Sequence, residues 1–159
     1  MARKTAKVQK TNAMRELDAA GIAYEFQSYE VDEDVPSGEL GTHIAEMLGE
    51  DPDAAFKTLV CCIPVDQELD LKKAAAASGQ KNLSMLPVKE LEGLTGYVRG
   101  GCTPVGMKKQ FPTIIDETAQ LFELIHISGG KRGLSLTLSP EDLASFVSAT
   151  FADIVREVH

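Results

Sequence analysis

Seventeen consecutive residues in the middle of the chain, Gly96 to Pro112 (GYVRGGCTPVGMKKQFP), carry four glycines and two prolines. Glycine dissipates helix and strand propensity, and proline removes a backbone donor. So dense a run is poor in helix signal and reads as a loop rich in turns. A helix is expected to begin after Thr11 or Asn12, either of which can cap it, and to stop at Gly21. Ile22 to Tyr29 alternates apolar and polar and predicts a strand. An acidic turn follows, marked by Pro36 and Gly38. Thr42 to Leu48 reads as a short amphipathic helix ended by Gly49. Phe56 to Ile63 (FKTLVCCI) reads as a buried strand.

Beyond it, Asp70 is placed to cap the helix LKKAAAAS, which Gly79 stops. Asn82 to Met85 predicts a short strand, and Pro87 suits the first turn of a helix over PVKELEGL. Thr113 to Asp116 and Phe122 to Ile127 predict strands. Ser128 to Gly133 is a tight turn into a strand over Leu134 to Leu138. Ser139 and Pro140 open a last helix, with Asp142 at its third position. Helices and strands alternate irregularly, which favours an α+β chain with a mixed sheet over a doubly wound one. The first ten residues are expected to be a flexible basic tail, and residues 11–159 a single domain.

The chain has 159 residues, 43% hydrophobic and 25% charged, so it resembles an ordinary globular domain. No apolar stretch is long enough to span a bilayer, and the basic N-terminus lacks an apolar region behind it. A cytoplasmic protein is the default expectation. The net charge is −8, but its distribution matters more than its sum. Residues 16–54 hold twelve acidic residues and no Lys or Arg. Residues 97–133 hold Arg99, Lys108, Lys109, Lys131 and Arg132 against three acids. Cations gathered among glycines, whose bare amides also favour anions, suit a phosphate-bearing ligand. Ordinary surface lysines near turns are the plainer reading.

Three cysteines, Cys61, Cys62 and Cys102, and three scattered histidines form no metal-ligand or redox spacing, so neither metal nor cofactor is expected. Lys57 stands among apolar neighbours. Facing inward it would be partly desolvated and suited to orient a substrate; facing outward it would merely reach for solvent. Gly100 and Gly101 open the same choice between close approach of a substrate and a structural turn, as do Ser128, Gly129 and Gly130. No phosphate-loop pattern is present, and Ser128 lacks the setting of a hydrolase nucleophile.

Five segments occur in an order that strongly resembles the YbaK/EbsC family of aminoacyl-tRNA deacylases. They are FKTL at 56–59, PVDQELDLKKAA at 64–75, LTGYVRGGCTPVGMKK at 94–109, PTIIDETA at 112–119 and SGGKRGL at 128–134. The resemblance runs from about residue 10 to about residue 155 and extends to the editing domain of bacterial prolyl-tRNA synthetases. It implies an open, mixed, β-barrel-like sheet with helices outside. It implies metal-independent hydrolysis of the ester joining a mischarged amino acid to tRNA, cysteine on proline tRNA in the best-known branch. Lys57 matches the family's active-site lysine, with amides around Gly101 and Gly130 as oxyanion donors. Tyr29, Leu40, Thr58, Gly100, Ser128 and Gly129 match its substrate pocket. Lys108, Lys109, Lys131 and Arg132 become candidate contacts to tRNA phosphates. The implied partners are an aminoacyl-tRNA and, as a candidate, prolyl-tRNA synthetase, with neither membrane nor DNA.

Two departures stand out. Leu40 occupies the place of an aromatic residue before the glycine expected to open the second helix. A hairpin of roughly ten residues is absent between FKTLV and PVD, a length typical of a short strand and its turn. A segment missing from the chain is the expected explanation, with a true loss of the hairpin as the alternative. Rival readings are removal of alanine or another small residue, a non-catalytic tRNA- or synthetase-binding module, and a thiol hydrolase using Cys102.

Overall fold

Local capping chemistry sets the helices. In a computed structural model, which describes residues 9–28, 39–47 and 58–157, Thr11 caps α1 (Asn12–Ala20) by accepting from the Met14 N–H. Gly21, at φ 72°, ends it. Asp70 caps α2 (Leu71–Ser78), accepting from the N–H groups of Lys72 and Lys73, and Gly79 at φ 74° closes it. Both glycines take the left-handed conformation that a side chain would strain. Helix α3 (Val88–Thr95) follows Pro87, which sits just outside its first turn. In α4 (Pro140–Val147), Ser139 accepts from Asp142 and Pro140 occupies the first turn, as expected.

The strands among the described residues are β1 (Glu25–Ser28), β2 (Leu40–Met47), β3 (Thr58–Pro64), β4 (Leu83–Met85), β5 (Thr113–Asp116), β6 (Ile125–Ser128), β7 (Leu134–Leu138) and β8 (Thr150–Ala152). The chain is α+β, as expected, but its strands divide into two sheets. One is antiparallel, in the order β1-β7-β6. The other is mixed, in the order β4-β2-β3-β5-β8. They meet at a parallel bridge between Glu39 and His126 and do not close into a barrel. The larger core lies between them, with Ile44, Val60 and Ile115 facing Ile127, Leu136 and Leu143. A second core, built on Leu59, Cys61, Ile63 and Ile114, lies under Ala74 and Ala75 of α2. Strand β3 is thus covered on both faces, and its two adjacent cysteines enter different cores.

The segment read as a helix from Thr42 is instead strand β2. Leu40 and Ile44 enter the larger core and Ala45 the smaller, the two-residue alternation of a strand. It pairs antiparallel with β3 from Leu40 opposite Pro64 to Glu46 opposite Thr58. The reason is non-local. A strand buried on both faces cannot leave one edge of donors and acceptors unpaired, and that demand outweighs a short helical pattern. Strand β3 runs unbroken from Thr58 to Pro64, directly across the point where the hairpin was expected. Leu40 lies within a strand, where the resemblance placed it before a helix.

Candidate active site

Each of the two glycine-bearing segments is a tight turn. In the first, the Gly101 N–H donates to the Val98 carbonyl at 2.9 Å, and Gly100 sits at φ 87°. In the second, which links β6 to β7, the Gly129 N–H donates to the Leu134 carbonyl at 2.8 Å. The Gly130 N–H reaches the Ser128 hydroxyl at 3.3 Å, with Gly130 at φ 101°.

The fold presses these turns together. A Cβ on Gly101 would lie 2.8 Å from the Lys131 Cα, and one on Gly100 would lie 3.0 Å from the Arg132 Nε. Real side chains do not tolerate such approaches to backbone, so Gly101 exists to let two main chains touch. Arg132 lies across Gly100 and donates from Nε to the Arg99 carbonyl at 3.0 Å. The buried Tyr97 ring supports both turns: its hydroxyl donates to the Val105 carbonyl at 2.7 Å, and its Cε1 lies 3.1 Å from where a Gly130 Cβ would stand. From the far end of the chain, the Thr11 hydroxyl donates to the Gly129 carbonyl at 2.6 Å.

The anticipated residues are only partly assembled. Gly100, Gly101, Ser128, Gly129, Gly130, Lys131 and Arg132 lie in the two touching turns, Gly101 and Gly129 buried and the cations exposed, beside the exposed Arg99, which the anticipated set omitted. The Gly101 N–H is engaged with the Val98 carbonyl within its own turn. Lys108 turns elsewhere: its stem crosses Gly96 and its Nζ donates to the Gly93 carbonyl at 3.3 Å, at the C-terminal end of α3. Lys109 is exposed. Leu40 is 4% exposed, inside the larger core. It stands at the opposite end of the β2–β3 pair from Thr58, about 20 Å away at the rise of a strand. These two side chains do not line one small pocket. Lys57 and Tyr29 lie outside the described residues.

A sequence profile of the aminoacyl-tRNA editing domain matches residues 43–146. The chain belongs to that family. An Enterococcus faecalis (strain ATCC 700802 / V583) protein named as a Cys-tRNA(Pro)/Cys-tRNA(Cys) deacylase, EbsC, is 46% identical over 159 residues, spanning 94% of this chain and 95% of that protein. Among solved structures, one described as a trans-editing enzyme for prolyl tRNA synthetase superposes with a TM-score of 0.77 at 19% identity, covering 94% of this chain and all of the other. A hypothetical protein superposes at 0.79 with 21% identity, covering 92% of this chain and all of the other. These two similarities establish the fold.

Within this editing domain the three cysteines are free and buried. Burial pushes the Cys102 thiol up to about 11 and those of Cys61 and Cys62 up to about 12, so all three stay protonated at neutral pH. The thiol-hydrolase reading of Cys102 finds no support in this setting. Among the described residues no group of three His, Cys, Asp or Glu side chains is placed to hold a metal. Sequence reasoning missed Thr11 as more than a cap, Tyr97 as the brace of both turns, and Glu39. Burial raises the Glu39 carboxyl to about 7, and its Oε2 has no hydrogen-bond partner among the described residues. An acidic residue directly before the buried Leu40 was the available signal.

Proposed function

We propose that this chain is a trans-editing deacylase that hydrolyses the ester of Cys-tRNA(Pro). The observation that carries the reading is the 46% identity, over nearly the full length of both chains, to a protein named for that activity. The two joined turns add a surface of exposed cations beside backbone amides, suited to an anionic substrate end.

The chemistry needs no protein nucleophile. The thiol of the misattached cysteine attacks its own carbonyl carbon, the ribose oxygen leaves with a proton, and water opens the resulting cyclic thioester. Tethering makes that attack intramolecular, and positioning supplies much of the rate. Lys57, by its match to the family lysine, orients the ester and offsets the negative charge that develops on its oxygen. The Gly130 N–H is the oxyanion donor in this reading. Its bond to Ser128 is long, and a charged oxygen is the stronger acceptor. Arg99, Lys109, Lys131 and Arg132 meet tRNA phosphates, and losing one of them weakens binding modestly and lowers its salt dependence. Prolyl-tRNA synthetase is the proposed partner and the cytoplasm the proposed location.

The test is release of labelled cysteine from Cys-tRNA(Pro), beside Ala-tRNA(Pro), by wild type and Lys57→Ala. Rapid cysteine release that falls about 100-fold or more in the variant is expected. Failure of folded wild-type protein to release either amino acid overturns the assignment.

A further inference from the structure

The Thr11 hydroxyl does two jobs. Its oxygen accepts from the Met14 N–H at 3.2 Å, capping α1. Its one proton goes to the Gly129 carbonyl at 2.6 Å, across 118 residues of chain. Many residues cap helices, and Asp does so as well as Thr. An ionised Asp has no proton to donate. The second bond therefore asks for a hydroxyl where the first does not.

The Gly129 carbonyl belongs to the same planar peptide as the Gly130 N–H, and in a trans peptide the two point in opposite directions. No cis peptide is present among the described residues. Holding the oxygen toward α1 turns the N–H away from it, toward the Ser128 hydroxyl. Gly130 has φ 101° and lacks a side chain that would lock this plane. Its α-carbon leaves room for the Thr11 side chain, 3.2 to 3.3 Å from where a Cβ would stand.

We infer that Thr11 is a positioning residue of the deacylation site, whose hydroxyl fixes the Gly129–Gly130 peptide plane and so aims the Gly130 N–H. The catalytic part of this inference rests on the reading of that N–H as the oxyanion donor; the orientation of the peptide does not.

Three variants separate the two jobs. Thr11→Ser keeps both bonds, Thr11→Asp keeps the cap and loses the donor, and Thr11→Ala loses both. Two readouts are taken: kcat and KM for Cys-tRNA(Pro), and the amide exchange rate of Gly130 by NMR. Thr11→Ser is expected to retain kcat within about twofold. Thr11→Asp is expected to keep α1 helical, lose about tenfold or more in kcat with little change in KM, and exchange its Gly130 amide faster. If Thr11→Asp does not fold, Thr11→Ala is read by the same two measures against Thr11→Ser. A donor-less variant with wild-type kcat and an unchanged Gly130 amide overturns the inference. If wild type releases no amino acid from any tRNA tested, the functional reading fails. The Gly130 exchange rate still decides whether Thr11 holds the loop.

Discussion

Glycine serves two opposite ends in this chain, and two of its glycines make the contrast measurable. Gly101 has an ordinary φ, but a Cβ there would meet the Lys131 backbone at 2.8 Å. Gly93 lies inside α3 with nothing within 4 Å of its missing Cβ. Gly101→Ala is therefore expected to cost about 1–3 kcal/mol, because the neighbour is main chain and cannot swing aside. Gly93→Ala is expected to gain about 0.5–1 kcal/mol from reduced freedom of the unfolded chain. Urea denaturation of the two variants beside wild type checks both signs. Sequence reading left Gly101 undecided between ligand clearance and a turn. Neither alternative included contact with a second loop, because nothing local to residues 96–112 announces Lys131.

At the scale of elements, what was legible and what was not divides by range. The ends of α1, α2 and α4 were readable because a cap is made by residues three or four positions apart: Thr11 and Met14, Asp70 and Lys73, Ser139 and Asp142. Strand β2 was misread because its state is decided by β3, whose edge it satisfies. The turn between β6 and β7 was legible, but β6 begins at Ile125, since Glu117–Leu121 forms a 3₁₀ turn and Phe122 follows outside the sheet. The site behaved likewise: both glycine turns were found, and their contact with each other, with Tyr97 and with Thr11 was not. The cysteines offer a probe of this hierarchy. Cys61 and Cys62 are fully buried in the central strand, and Cys102, in the glycine loop, is 8% exposed. In native protein at neutral pH all three are expected to resist iodoacetamide. With added urea Cys102 should label first, through local opening of its loop, and the β3 pair only with global unfolding. Peptide mapping of the labelled protein reads the order.

For the whole molecule, the seam between the two sheets is one place where pH acts. Glu39 pairs with His126 across it, and burial holds its carboxyl near 7 against an ordinary 4.5. The folded state thus keeps a proton that the unfolded chain releases. That contribution is complete below pH 4.5 and is lost as the pH rises through 7. With partial solvent access discounted, about 1–2 kcal/mol is at stake. Glu39→Gln, neutral throughout, should match wild type near pH 4.5 and be the more stable protein at pH 8, as read from urea midpoints at both values. The reach from Thr11 to Gly129 has a consequence for biosynthesis. The first helix emerges from the ribosome with its cap but without its docking partner, which is synthesised 118 residues later. Strand β8, which completes the larger sheet beside β5, comes later still. A nascent chain can form α1 locally, but it cannot assemble the paired glycine turns until most of the polypeptide exists. Premature termination before the second turn therefore yields a chain that lacks the paired turns altogether, rather than one that holds them loosely.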